Sequence, residues 1–144
     1  MRTKTTAGTR LGRVLWVVQG VLAALFLFAG VIKLVLPAEA LTAQSPFSAT
    51  FMRFIGVCET LGAIGLIVPW LTRIRTELTP IAAAGLVIIM IGAVTVSLIQ
   101  GAGVASAFPG VVGLLAFYVA RGRWTKAVPP AAAILEPTVL RRAA

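Results

Sequence analysis

The amino-acid sequence predicts an all-α, polytopic membrane protein: a bundle of four transmembrane helices with both termini in the cytoplasm. Three observations carry that expectation. Apolar residues make up 59% of the 144-residue chain, against about 45–50% in a soluble domain, and mean hydropathy is +1.00. Four segments approach or reach the roughly 20 apolar residues that a helix needs to cross a bilayer. The basic residues sit at the ends of these segments, and on alternate sides of them.

The first segment runs from Val14 to Leu36 and stops at Pro37, which cannot continue a helix. The second, Phe51 to Leu71, carries Pro69 near its end. The third opens at Thr79-Pro80, a hydroxyl N-cap followed by proline in the first helical position, and continues to Ile99. The fourth, Ala102 to Ala120, is interrupted by Gly103, Pro109 and Gly110, so a kink near Pro109 or an irregular start is expected. Residues 1–13 and 121–144 are then basic tails flanking a four-helix domain over 14–120.

Orientation follows from the flanks. Arg2, Lys4, Arg10 and Arg13 precede the first segment, Arg73 and Arg75 follow the second, and Arg121, Arg123, Lys126, Arg141 and Arg142 follow the fourth. Residues 37–50 and the turn at 100–101 hold no Lys or Arg. The positive-inside rule places both tails and the middle loop in the cytoplasm. Ala38-Glu39-Ala40 resembles a signal-peptide cleavage site, but the apolar run before it exceeds the about 7–15 residues of a signal peptide, so the first helix is read as retained.

The net charge of +9 is explained by these topological clusters, which lack the interleaved aromatics of a nucleic-acid surface. No nucleic-acid partner is expected. One cysteine, Cys58, excludes an intrachain disulfide, and the absence of histidine removes the commonest metal ligand and general base, so no metal site is expected.

Helices in lipid associate through small residues and interhelical hydrogen bonds. Glu59, Gly62 and Ala63 share one face of the second helix; Ala93, Ser97 and Gly101, then Ala102, Ser106 and Gly110, recur at fours in the third and fourth. These faces are expected to point inward. Trp16, Trp70 and Trp124 fall near the predicted cytoplasmic ends, where indoles favour the interface.

Chemistry is confined to few residues. Glu59 lies about 12 Å into a core about 30 Å thick, and must be neutral, paired or hydrated there. Lys33, about 5 Å below the outer boundary, is able to snorkel to water or reach down to Glu59. Three readings stay open: a buried Lys33–Glu59 pair that only fixes helix packing, an outward-facing polar pocket, or Lys33 snorkelling alone over a neutral Glu59. Arg53 lies at similar depth, about 120° around the helix from Glu59, placed for a headgroup, an anionic ligand or another helix. Gln19, Thr60, Thr95 and Ser97 are further intramembrane polar groups, each expected to bond between helices or back to its own helix, with Thr60 and Ser97 as candidate ligand contacts. Cys58, in apolar surroundings, is expected to be inert.

The stretches LFLFAGVIKLVLPAEA, FMRFIGVCETLGAIGLIVPWLTRI and LTPIAAAGLVIIMIGAVTVSLI, with Gly122-Arg123-Trp124, resemble the DoxX-like family of small four-helix bacterial membrane proteins over roughly residues 20–125. Its most specific pieces are Gly30 to Lys33 and Phe54 to Ala63. The resemblance implies a multi-pass protein of the bacterial cytoplasmic membrane, loosely associated with redox complexes, with Lys33, Arg53 and Glu59 at matching positions. Relatives often carry a histidine where this chain has Ser97, which implies that any proton or quinone role of that imidazole is not performed here in the same way.

Two functions follow as expectations. One is an accessory or structural subunit of a membrane redox or envelope complex, with the bilayer, a protein complex or further copies of the chain as partners. The other is a small enzyme acting on a lipophilic molecule, with Glu59 as general acid or base and Lys33 or Arg53 stabilising negative charge. No cofactor is required, a quinone being the one this chemistry would accommodate. Four helices without an internal repeat make a transporter the weakest of the readings.

Overall fold

The computed structural model describes residues 6–43, 45–72, 74–75 and 77–127, which form helices joined by short turns, with no strand among them. Helix α1 spans Thr6–Val35, a short α2 Ala38–Thr42, α3 Ala49–Thr72, α4 Leu78–Ile99, and α5 Ala107–Ala127 after a 3₁₀ turn at Gly103–Ser106. Among the described residues, α1, α3, α4 and α5 are long and apolar enough to cross a membrane. The expected loop after the first span therefore contains α2, whose Leu41 is buried against the bundle.

The helices pack as two close pairs, α1 with α3 and α4 with α5, joined along α3 and α4; α1 and α5 touch least of these neighbours. Leu22 and Phe26, Ala63 and Leu66, Ala83 and Leu86, and Ala116 and Val119 supply the core from the four helices in turn. Large apolar side chains such as Phe28, Leu61, Ile88 and Leu114 point outward and stay exposed, as expected where the surrounding solvent is hydrocarbon.

The α1–α3 crossing is set by two glycines. A Cβ on Gly30 would meet the Gly56 carbonyl oxygen at 2.7 Å and the Thr60 amide at 2.9 Å, and one on Gly56 would meet the Gly30 carbonyl oxygen at 2.9 Å. Backbone cannot yield as a flexible side chain does. Gly30→Ala is expected to destabilise the bundle by about 1–3 kcal/mol, whereas Gly20→Ala, with open space around the site, should be neutral or slightly stabilising through helix propensity. Comparable losses in a reversible unfolding assay would show that this crossing is not close-packed.

Proline positions explain local departures from the expected boundaries. Pro69, inside α3, has no N–H for the Gly65 carbonyl one turn back. That carbonyl accepts instead from the Thr79 hydroxyl of α4 at 3.1 Å. Thr79 is thus not an N-cap: α4 starts at Leu78 behind Glu77, with no side-chain cap, and Thr79 is fully buried as a bridge between helices. Pro109 falls in the first turn of α5, where an N–H is dispensable, and the 3₁₀ turn supplies the irregular start.

Of the expected inward faces, that of α3 is buried, Gly62 abutting Leu86. Those of α4 and α5 differ. The fully buried face of α4 runs through Thr79, Ala83, Leu86 and Met90, while Ala93 and Ser97 are half-buried and Gly101 is an exposed turn residue with φ +72°. Ala102, Ser106 of the 3₁₀ turn and Gly110 of α5 are half-buried, and Val112, Ala116 and Val119 of α5 make the core. Each of these two helices thus buries a different face from the expected stripe, one that includes the fully buried Ala83 on α4 and Ala116 on α5.

Candidate functional site

Lys33 and Glu59 meet. Lys33 is in the last turn of α1 and Glu59 is ten residues into α3, and the Gly30–Gly56 crossing brings their backbones close enough for Nζ to lie 2.7 Å from Oε2. The carboxylate side chain is 4% exposed and the ammonium side chain 22%. Lys33 Nζ also donates to the Ala29 carbonyl at 3.4 Å. An ammonium has three donors, so one remains for a further acceptor.

The pair lies on the wall of a cavity of about 600 Å³, within the range of small-molecule sites. Phe26, Met90 and Val112 belong to both the core and the lining, and so form its floor. The segment Ser45–Phe47 covers part of its rim, held by the Ser45 hydroxyl donating to the Met52 sulfur at 3.4 Å and by Phe47 packed at a tilt against Phe51, 4.8 Å between centroids. Most of the lining is apolar; α4 adds Ser97 and Gln100. The arrangement suits a lipophilic body with one polar group presented to Lys33 and Glu59.

The remaining candidates divide. Ser97 lines the cavity. Arg53 is exposed and lies outside the lining, and Thr60 donates back to the Gly56 carbonyl at 2.8 Å, at the α1–α3 crossing. Thr95 likewise bonds back to Ile91 at 2.8 Å. Cys58 is half-buried on α3 and outside the lining.

A second polar cluster closes the opposite end. Gln19 of α1 is fully buried; its amide donates to the Leu66 carbonyl of α3 and accepts from Arg123 Nε of α5 at 2.8 Å. Arg123 is 2% exposed, and its guanidinium lies 5.4 Å from the centre of the Trp16 ring, within cation–π reach. Charge and position alone make Arg123 a tail residue, but α5 continues to Ala127 and Arg123 is buried on it. The one available signal was Gln19, a buried amide that needs partners. Trp124 is exposed, and the side chain of Trp70 lies outside the described residues.

Four apolar spanning helices around an apolar cavity with one charged pair on its wall define a multi-pass helical membrane protein. The sequence places it further: a family model described as the DoxX-like family matches residues 17–119. The chain belongs to that family. No curated protein and no solved structure matches it.

Proposed function

We propose that this DoxX-like protein is an accessory membrane subunit, of a redox or envelope complex, that holds a lipophilic small molecule between its four helices. The observation that carries this reading is the Lys33–Glu59 pair on the wall of an apolar cavity. A pair needed only for packing requires no cavity beside it. A quinone is one molecule of suitable size and polarity. The expected setting is the bacterial cytoplasmic membrane with both termini inside, supported by the Lys and Arg distribution. In intact cells a cysteine engineered at position 4 should then resist an impermeant thiol reagent while one at position 48 reacts; the reverse pattern would invert the topology.

A second reading is favoured by the position of the Glu59 carboxylate on the cavity wall, within reach of a bound molecule: acid/base chemistry at Glu59, with Lys33 stabilising negative charge. Arg53, exposed and outside the cavity lining, is left out of this reading. The test is extraction of the protein purified from its native membrane in mild detergent. A lipophilic compound enriched over bulk lipid with wild type, and depleted with Glu59→Gln, is the expected result; bulk lipid alone in both would refute the binding reading. If the ligand turns over, Glu59→Gln should slow it at least about 10²-fold.

A further inference from the structure

Two depressions in the surface share a wall. The cavity and a second groove of about 490 Å³ are both lined by Leu25, Ala29, Lys33, Ser45, Met52 and Phe108. The groove is completed by Phe28 and Ile32, exposed on the outward face of α1, by the exposed Leu36 just beyond its end, and by Ala40 and Leu41 of α2. It therefore follows the seam between α1 and the start of α5. At the other end of that seam, Gln19–Arg123 and the Leu15–Gly122 contact hold α1 and α5 together. The seam is latched at one end and hollow at the other.

Size and charge restrict what fits. The cavity, about 600 Å³, is of small-molecule size. A lipophile whose chain outruns that space must let its tail leave through a wall, and the wall shared with the groove leads to the lipid-facing surface of α1. At the head, the Lys33 charge is already matched by Glu59 at 2.7 Å. An anionic head would gain little net attraction and would meet the neighbouring carboxylate. A neutral hydroxyl or carbonyl oxygen needs only the remaining Lys33 N–H.

We infer that the α1–α5 seam is a lateral portal, with Phe108 on its rim, through which a long-chain lipophile with a neutral oxygen head enters from the bilayer. Its head is held at Lys33 and its tail lies over Phe28 and Ile32. This inference rests on the cavity being a lipophile site. The test uses the full chain in lipid nanodiscs, at a pH of about 9 that keeps a membrane-bound carboxylic acid ionised, with two photoprobes, a long-chain alcohol and the corresponding fatty acid, each with a diazirine midway along its tail. The Lys33→Met/Glu59→Leu double variant removes the head site without stranding a charge, and its folding is checked by thermal melting.

The alcohol should label Phe28, Ile32 and Phe108 above the lipid-facing controls Leu61 and Leu114, and that excess should fall about tenfold in the double variant, as for one hydrogen bond from a charged donor. The fatty acid should show no excess. Seam labelling equal to the controls, or unchanged in the double variant, would mean ordinary boundary lipid and overturn the portal. An equal excess with the fatty acid would overturn the neutral head. Labelling of Ile89 and Val96 inside the cavity with none at the seam would overturn the portal and leave the cavity as a lipophile site. Labelling at neither would remove both.

Discussion

Lys33→Met is expected to lower the stability of the bundle by about 3–5 kcal/mol, the range for breaking a buried ion pair from one side. The loss falls on Glu59, whose side chain is 4% exposed and whose partner among the described residues is the Lys33 ammonium. Methionine supplies no donor, so the carboxylate is left in an apolar wall. Glu59→Gln should cost much less. The Lys33 side chain is 22% exposed, and its flexible stem is able to lift the ammonium towards water. The Lys33→Met/Glu59→Gln double variant should recover most of the loss, because no charge is then unmatched. Reversible unfolding of the four proteins in one detergent measures the cycle; equal costs for the two single variants would show that the charges act independently.

The second large effect is expected at the other end. Gln19→Leu removes the acceptor of Arg123 Nε and the donor to the Leu66 carbonyl together, and should destabilise the protein by about 3 kcal/mol, the upper value for a hydrogen bond to a charged group. Leucine is close in size to glutamine, so the loss is not a cavity effect. Gln19→Glu, which keeps an acceptor for the guanidinium, should retain more stability than Gln19→Leu. The same unfolding assay compares them, and Gln19→Leu as stable as wild type would show that α1 and α5 are held by apolar contacts such as Leu15 on Gly122. Since this cluster lies away from the cavity, Gln19→Leu tests the latch without touching Lys33 or Glu59.

The membrane class, the four spans and the Lys33–Glu59 candidates were legible in the sequence because each rests on a cost that any fold must meet. A chain with 59% apolar residues needs lipid around it, and a carboxylate in mid-span needs a partner wherever the helices go. Gly30 and Lys33 share one face of α1, Gly56 and Glu59 one face of α3, so the residues that permit close approach are spaced to bring the charges together. Which of the polar residues share a site was not legible. Arg53 and Ser97 look equally promising along the chain, yet rotation of each helix about its axis leaves Arg53 exposed and turns Ser97 to the cavity. That rotation is set by the packing of four helices at once, and an apolar helix in lipid has no polar face to announce it. Arg123 shows the same limit more sharply. Its charge suggested a tail, and only the meeting of α1, α3 and α5 provides the buried amide and the indole ring that make a position inside the bundle tolerable for a guanidinium.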